Sequence, residues 1–284
     1  MDRILFGDNQ FFGINHMSEE KSREQALRFK DAKAVIDVLD VAYDLGLRTF
    51  MCTTHGRIAE MCDHIRANFQ KYRDFEIYPC MPYAHKYANA VTDHGIIGAL
   101  KYLMPDHLLS AVGKGGVAIA KKDFLKLMEL LIDAEMKMFK GIDTKVVFLQ
   151  NVVTDLLLGL GMKDFFVAFT EYIRKAFNAE AGFITMNMTK LLDVLGECGV
   201  RNPIICSSIN KIGFRMSGGN QAYERAIAER QFRPIAMQVL AAGAIPVSEA
   251  IQYVCSQKGI KSILFGASTR GHIEQVINLI KQYS

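Results

Sequence analysis

The stretch Ser262-Ile-Leu-Phe-Gly-Ala-Ser-Thr-Arg-Gly-His272, running on to Tyr283, decides how the rest of the chain is read. Ser262 to Phe265 is a short apolar run of strand length. Gly266-Ala267-Ser268-Thr269 is a turn of small residues. Ile273, Val276, Ile277 and Ile280 then recur at helical spacing. Small residues let a ligand approach the backbone, and the free N–H groups at a helix start favour an anion. The unit is therefore a strand, a phosphate-sized cradle at Gly266, Ala267, Ser268, Thr269 and Arg270, and a helix.

Working outward, the same rhythm recurs. Ile4-Leu5-Phe6 is a first strand. Ala34, Val35, Val38, Leu39 and Ala42 mark an amphipathic helix stopped at Gly46, and Leu47 to Cys52 is the second strand. Six further strands are expected, ending near Cys80, Leu149, Thr185, Cys206, Met237 and Phe265, the third stopped by Pro79 and Pro82. A helix is expected after each strand, Phe165 to Phe177 being the one after the fourth. Strands alternating with helices imply a parallel sheet. Eight such units in one chain of 284 residues imply an α/β fold of the (β/α)8 TIM-barrel type, one domain spanning residues 1–284. An open doubly wound sheet is the alternative.

One connection is out of proportion. About 40 residues separate the third strand from the next long helix, Lys122 to Lys140, whose inner face is expected to carry Phe124, Leu127, Leu130, Leu131, Ala134 and Met138. This insertion, residues 81–121, holds a short helix over Ile96 to Leu103 and a glycine turn at Gly113 to Gly116. A lid and a packed surface excursion are both open readings.

Composition narrows the class. Half of the residues are hydrophobic, enough for a sizeable core. The net charge of +4, with no block of five like charges, argues against a nucleic-acid partner. The six cysteines form no CxxC pair, which fits a reducing cytoplasmic setting. No apolar run is long enough to span a membrane, and no signal-like segment opens the chain. The expected partner is a small, anionic substrate.

In a barrel the chemistry sits at the C-terminal ends of the strands. Those positions offer Asp8 and Gln10, then His55, then Cys80, Tyr83 and His85, then Gln150 and Asn151, then Asn187, then Lys211 and Arg215. Carboxylates are scarce, so a paired-carboxylate hydrolase is not expected. His55 and His85 follow neighbouring strands and are candidate proton donors, or each bonds a loop carbonyl. Cys52, His55, Cys80 and His85 are residue types that zinc uses, but inward cysteines usually fill a core, and no metal is assigned. Lys211, among Ile209, Ile212 and Phe214, is either a Schiff-base nucleophile or an anion-binding cation beside Arg215.

Gly259-Ile-Lys-Ser-Ile-Leu-Phe-Gly-Ala-Ser-Thr269 resembles the closing strand and phosphate loop of the aldo-keto reductase superfamily. Gly46-Leu47-Arg48-Thr49-Phe50 resembles that family's second strand, and Met186-Asn187 falls where the family has Ser-Asn against the nicotinamide. The resemblance implies a barrel that takes NADP, with Asn187 and Gly266 to Arg270 as cofactor contacts. The family's catalytic tetrad has no counterpart. Its Asp and Tyr give way to the run Phe50-Met51-Cys52-Thr53-Thr54-His55, with His55 nearest the Tyr. Its Lys falls at Cys80-Met81-Pro82-Tyr83, and its His at Gln150 or Asn151. The resemblance thus implies a small-molecule enzyme, oxidoreductase-like with altered catalytic residues. Two further readings stand beside it: a class I aldolase using Lys211, and a ligand-binding barrel without catalysis.

Overall fold

A computed structural model describes residues 1–14, 18–83 and 116–284. Eight parallel strands close into a barrel in sequence order: β1 Ile4–Gly7, β2 Thr49–Thr53, β3 Glu76–Met81, β4 Val146–Leu149, β5 Glu180–Thr185, β6 Ile204–Ser208, β7 Arg233–Met237 and β8 Ser262–Phe265. Closure runs through β1 and β8, with Phe6 opposite Phe265. The helices are α1 Glu19–Arg28, α2 Ala32–Asp44, α3 Gly56–Ala67, α4 Gly116–Met136, α5 Asn151–Gly159, α6 Asp164–Phe177, α7 Met188–Glu197, α8 Gly219–Glu229, α9 Val247–Ser256 and α10 Arg270–Tyr283.

Two cores follow from the alternation of side chains along each strand. Inside the barrel, Leu5, Met51, Tyr78, Cys80, Phe148, Ile184, Cys206 and Ile235 pack together. Between barrel and helices lies the larger core, which includes Phe6, Phe50, Val147, Phe183 and the buried faces of the helices. The α10 stripe read from the sequence, Ile273, Val276, Ile277 and Ile280, is buried there, and Thr269 caps that helix. The interior is tight enough to need one glycine. Gly182 sits opposite Phe148, and a Cβ placed on it would come within 2.3 Å of the ring.

Three expectations change. Pro79 lies within β3, opposite Cys52, rather than ending it. A proline withdraws one ladder donor, but β2 and β4 hold the strand on both sides. A helix without a sequence signature, α5, follows β4 before Phe165 is reached. Its run Asn-Val-Val-Thr-Asp-Leu-Leu-Leu-Gly is apolar with little polar punctuation, so it shows no clear amphipathic period. The buried face of α4 departs in part from the expected one. Leu127 is buried as expected, but Leu130 is 63% exposed and Ala134 is exposed, while Met128, Ile132, Glu135 and Met136 are buried. The connection between β3 and α4 is the insertion after the third strand, and the short helix expected at Ile96 to Leu103 lies outside the described residues.

Charged pairs brace the N-terminal rim. Lys145 bonds Glu76 between the starts of β4 and β3, and Arg233 bonds Glu180 at 2.5 and 3.0 Å between the starts of β7 and β5.

Candidate active site

The C-terminal end of the barrel opens into a cavity of about 400 Å³. Its floor is made by inward residues of the strands, Met51, Cys80, Ile184, Met237 and Leu264. Its walls are polar: Asp8, Gln10, Thr53, Tyr83, Gln150, Arg215 and Gln238.

Asp8 follows β1 directly and is 6% exposed. The backbone N–H and the hydroxyl of Thr53, at the end of β2, both donate to Asp8 Oδ2 at 2.8 Å. Among the described residues no other residue donates to Oδ1. Burial pushes the Asp8 carboxyl above its usual range, and the Thr53 bonds pull it part of the way back. The site therefore holds a carboxyl that keeps its proton more readily than a surface aspartate.

Gln10 lies in a one-turn helix, Asn9–Phe12, that β1 runs into. Its Nε2 donates to the Gly7 carbonyl at 2.7 Å. That bond orients the amide, and its Oε1 is buried with no partner among the described residues. The oxygen lies against Gly266, where a Cβ would meet it at 2.0 Å.

Tyr83 is positioned by a group the sequence reading missed. Glu135 of α4, 3% exposed, accepts from the Tyr83 N–H at 3.1 and 3.2 Å and from the Thr54 hydroxyl at 2.6 Å. The Tyr83 phenol is raised, first by burial and then by the Asp8 charge, while Arg57 works the other way. Burial also raises the Cys80 thiol well above its usual value, so the floor is a neutral thiol and not a nucleophilic thiolate.

The rim after β6 and β7 carries backbone strain. Arg215, Gln238, Ala241 and Ala242 have φ of 56, 52, 44 and 57°. Non-glycine residues avoid this region, and its use clusters at functional sites. Ser208 Oγ donates to Gln238 Oε1 at 2.6 Å, fixing one of them. Arg215 lines the cavity and has no ion pair among the described residues. Asp155 of α5 secures the next wall. It accepts from the Thr185 hydroxyl and from the N–H of Met186 at 3.1 Å, and burial raises its carboxyl.

The sequence candidates are placed unevenly. His55 caps α3: its Nδ1 accepts from the Arg57 N–H at 3.2 Å, and its ring stacks on Phe12 at 4.3 Å. It is absent from the cavity wall, although Tyr83 is an edge-on neighbour at 6.1 Å. His85 lies outside the described residues. Lys211 is exposed and paired with Glu249 at 2.6 Å, and Ile212 beside it is 53% exposed. The apolar surroundings that a Schiff-base lysine needs are not there. Asn187 precedes α7, with its N–H on Thr185 Oγ1 at 2.8 Å, while its neighbour Met186 reaches the cavity. In the β8 loop, Gly266 reaches the cavity. The Ser268 carbonyl accepts from Arg28 at 2.6 Å, the Thr269 hydroxyl accepts from the His272 N–H at 3.4 Å, and Arg270 pairs with Glu274 at 2.9 Å.

Zinc between Cys52 and Cys80 is excluded by geometry. Cys52 packs outside the barrel and Cys80 inside it, on opposite faces of the sheet. Among the described residues no three His, Cys, Asp or Glu side chains cluster as metal ligands, and no described helix is long and apolar enough to cross a membrane.

Glu135 and Asp155 escaped the sequence reading because both arrive from helices rather than strand ends. A signal for Glu135 exists all the same: it falls seven residues after Met128, in phase with the buried stripe, where a charge demands partners.

No protein-family model matches the chain, and no curated protein matches its sequence. Solved structures do match. A Pseudomonas aeruginosa protein assigned to the aldo-keto reductases aligns with a TM-score of 0.60 at 14% identity, over 99% of this chain and 90% of that one. An aldo-keto reductase from Brucella melitensis gives 0.56 at 12% identity, over 98% and 89%. A point mutant of Gox0644, in complex with NADPH, gives 0.54 at 10% identity, over 98% and 83%. The chain thus has the barrel fold that these proteins have, along nearly its whole length, at 10 to 14% sequence identity.

Proposed function

We propose that the protein is a small-molecule oxidoreductase on an aldo-keto-reductase-like barrel, in which Asp8 takes the proton-handling role that the family gives to its tetrad. The observation that carries this reading is the buried Asp8 carboxyl, held at Oδ2 by Thr53 in a residue that lines the cavity. Two donors occupy Oδ2, which leaves Oδ1 as the oxygen that carries the proton whenever the carboxyl is neutral, and a substrate oxygen there can accept it. Tyr83 and Gln150 add polar groups to the wall, and Arg215 suits a carboxylate or phosphate on the substrate.

The residues present fit NADP(H). The left-handed loop after β7 lines the cavity, and loops after strands 7 and 8 are the usual phosphate sites of barrels. The first turn of α10 contains no acidic residue, and Arg28 and Arg270 flank the loop Gly266 to Thr269. When bound, this cofactor supplies the hydride. The chain's own part is to orient the substrate, exclude water and hold the proton at Asp8.

Fluorescence titration with NADPH, followed by absorbance assays on a panel of carbonyl acids, tests the reading. Binding and turnover are expected. Asp8→Asn should lower kcat by roughly 10²–10⁴-fold with NADPH affinity unchanged. Failure to bind NADPH, or turnover that survives Asp8→Asn, would overturn it. Plain aldehydes without an anionic group should turn over poorly, because they leave Arg215 unused.

A further inference from the structure

Two amide oxygens in the described structure are buried and unpaired, Gln10 Oε1 and Gln25 Oε1, and both side chains line the active-site cavity. They come from separate elements, the turn after β1 and helix α1. Gln10 is 5% exposed, and its Nε2 bond to Gly7 prevents the amide from simply turning over. A buried acceptor without a donor forfeits the hydrogen bonds that water would have given it. Two on the wall of one cavity give that side a pair of acceptors that no described residue satisfies. The complement of two neutral amide carbonyls is a pair of neutral donors.

We infer that Gln10 and Gln25 form a hydroxyl-reading subsite: the molecule that fills the cavity presents O–H groups to these two carbonyls. A polyhydroxylated acid brings them on the substrate, and a nucleotide brings them on a ribose. The inference rests on the cavity being the active site but not on the redox reading, so binding rather than turnover tests it.

The probes are D-gluconate, hexanoate and NADP⁺, each titrated by calorimetry into the intact protein. Gluconate and hexanoate share chain length and charge and differ in hydroxyls. Gluconate is expected to bind more tightly than hexanoate. Gln25→Met, which keeps the side-chain length and removes the carbonyl, should weaken gluconate by about 3- to 10-fold, the value of one hydrogen bond, and leave hexanoate unchanged. Gln10→Met should act the same way, with a thermal melt confirming that each variant is folded. If NADP⁺ affinity falls by this factor while gluconate affinity does not, the hydroxyls are those of the ribose and the subsite stands. If neither affinity moves in a folded Gln25→Met or Gln10→Met, the carbonyls are satisfied by interior water only and the inference fails. Loss of turnover in the redox assay with these binding effects intact would reject the oxidoreductase reading alone.

Discussion

Replacing Gly182 by alanine puts the packing of the barrel interior to a direct test. An added Cβ would lie 2.3, 2.5 and 2.8 Å from three atoms of the Phe148 ring. Carbon contacts settle at about 3.5–4.0 Å, so the ring must retreat by roughly 1.2 Å or more. It has nowhere open to go, since Phe148 is fully buried and packed in the same interior cluster as Tyr78, Cys80 and Ile184. Overpacking of this kind costs about 1–3 kcal/mol, which for a chain this long lowers Tm by about 2–5 °C. Urea unfolding of Gly182→Ala, Phe148→Leu and the double variant measures it. The double variant should lose less than the sum of the two single losses, because the smaller side chain vacates the space the methyl needs. An unchanged midpoint for Gly182→Ala, or strictly additive losses, would refute the claim that this glycine exists to admit the ring.

Three further outcomes are expected. The raised Asp8 carboxyl favours the neutral form in the folded state, so its contribution is fully present below the ordinary aspartate value of 3.8 and is lost as pH rises through its folded value; Asp8→Asn should therefore gain stability relative to wild type on going from pH 3 to pH 8, as read by denaturant midpoints. Glu135→Ala leaves the Tyr83 N–H and Thr54 hydroxyl without their acceptor and should cost about 1–3 kcal/mol, with Glu135→Gln milder because one carbonyl remains, by urea titration. Lys211→Ala removes only an exposed ion pair, so stability should move by less than about 1 kcal/mol, catalysis should persist, and borohydride with carbonyl ligands should trap no adduct on the wild-type lysine.

Much of the barrel can be read because its signals are local. Each strand is a short apolar run, and stripes such as Ile273, Val276, Ile277 and Ile280 repeat with the helical period. The α5 helix is lost for the same reason: a run apolar on every side has no period to detect. The cavity is harder. Asp8, Gln10, Tyr83 and Gln150 can be placed there by strand ends alone. What the sequence hides is which side chains turn toward the mouth. His55 follows β2 as expected, yet its ring nitrogen is taken up by capping α3. Lys211 follows β6, yet it swings out to Glu249 on α9. Both outcomes depend on the local folding around these residues, and the Glu135 clamp on Tyr83 reaches across 52 residues of chain.

The loop after β7 has a consequence for how this barrel can change. Its shape resides largely in the main chain, in the left-handed turn through Ala241 and Ala242. Val239, 2% exposed, packs in the larger core and ties the turn to it. Leu240 is only half-buried and also lines the cavity. New ligand preferences are therefore most accessible at Leu240, where a changed side chain alters the cavity while the main-chain contour beneath it persists. At Ala242 the tolerant replacements are glycine and asparagine, the residues at ease in that conformation, whereas at fully buried Ala241 only glycine avoids burying an amide.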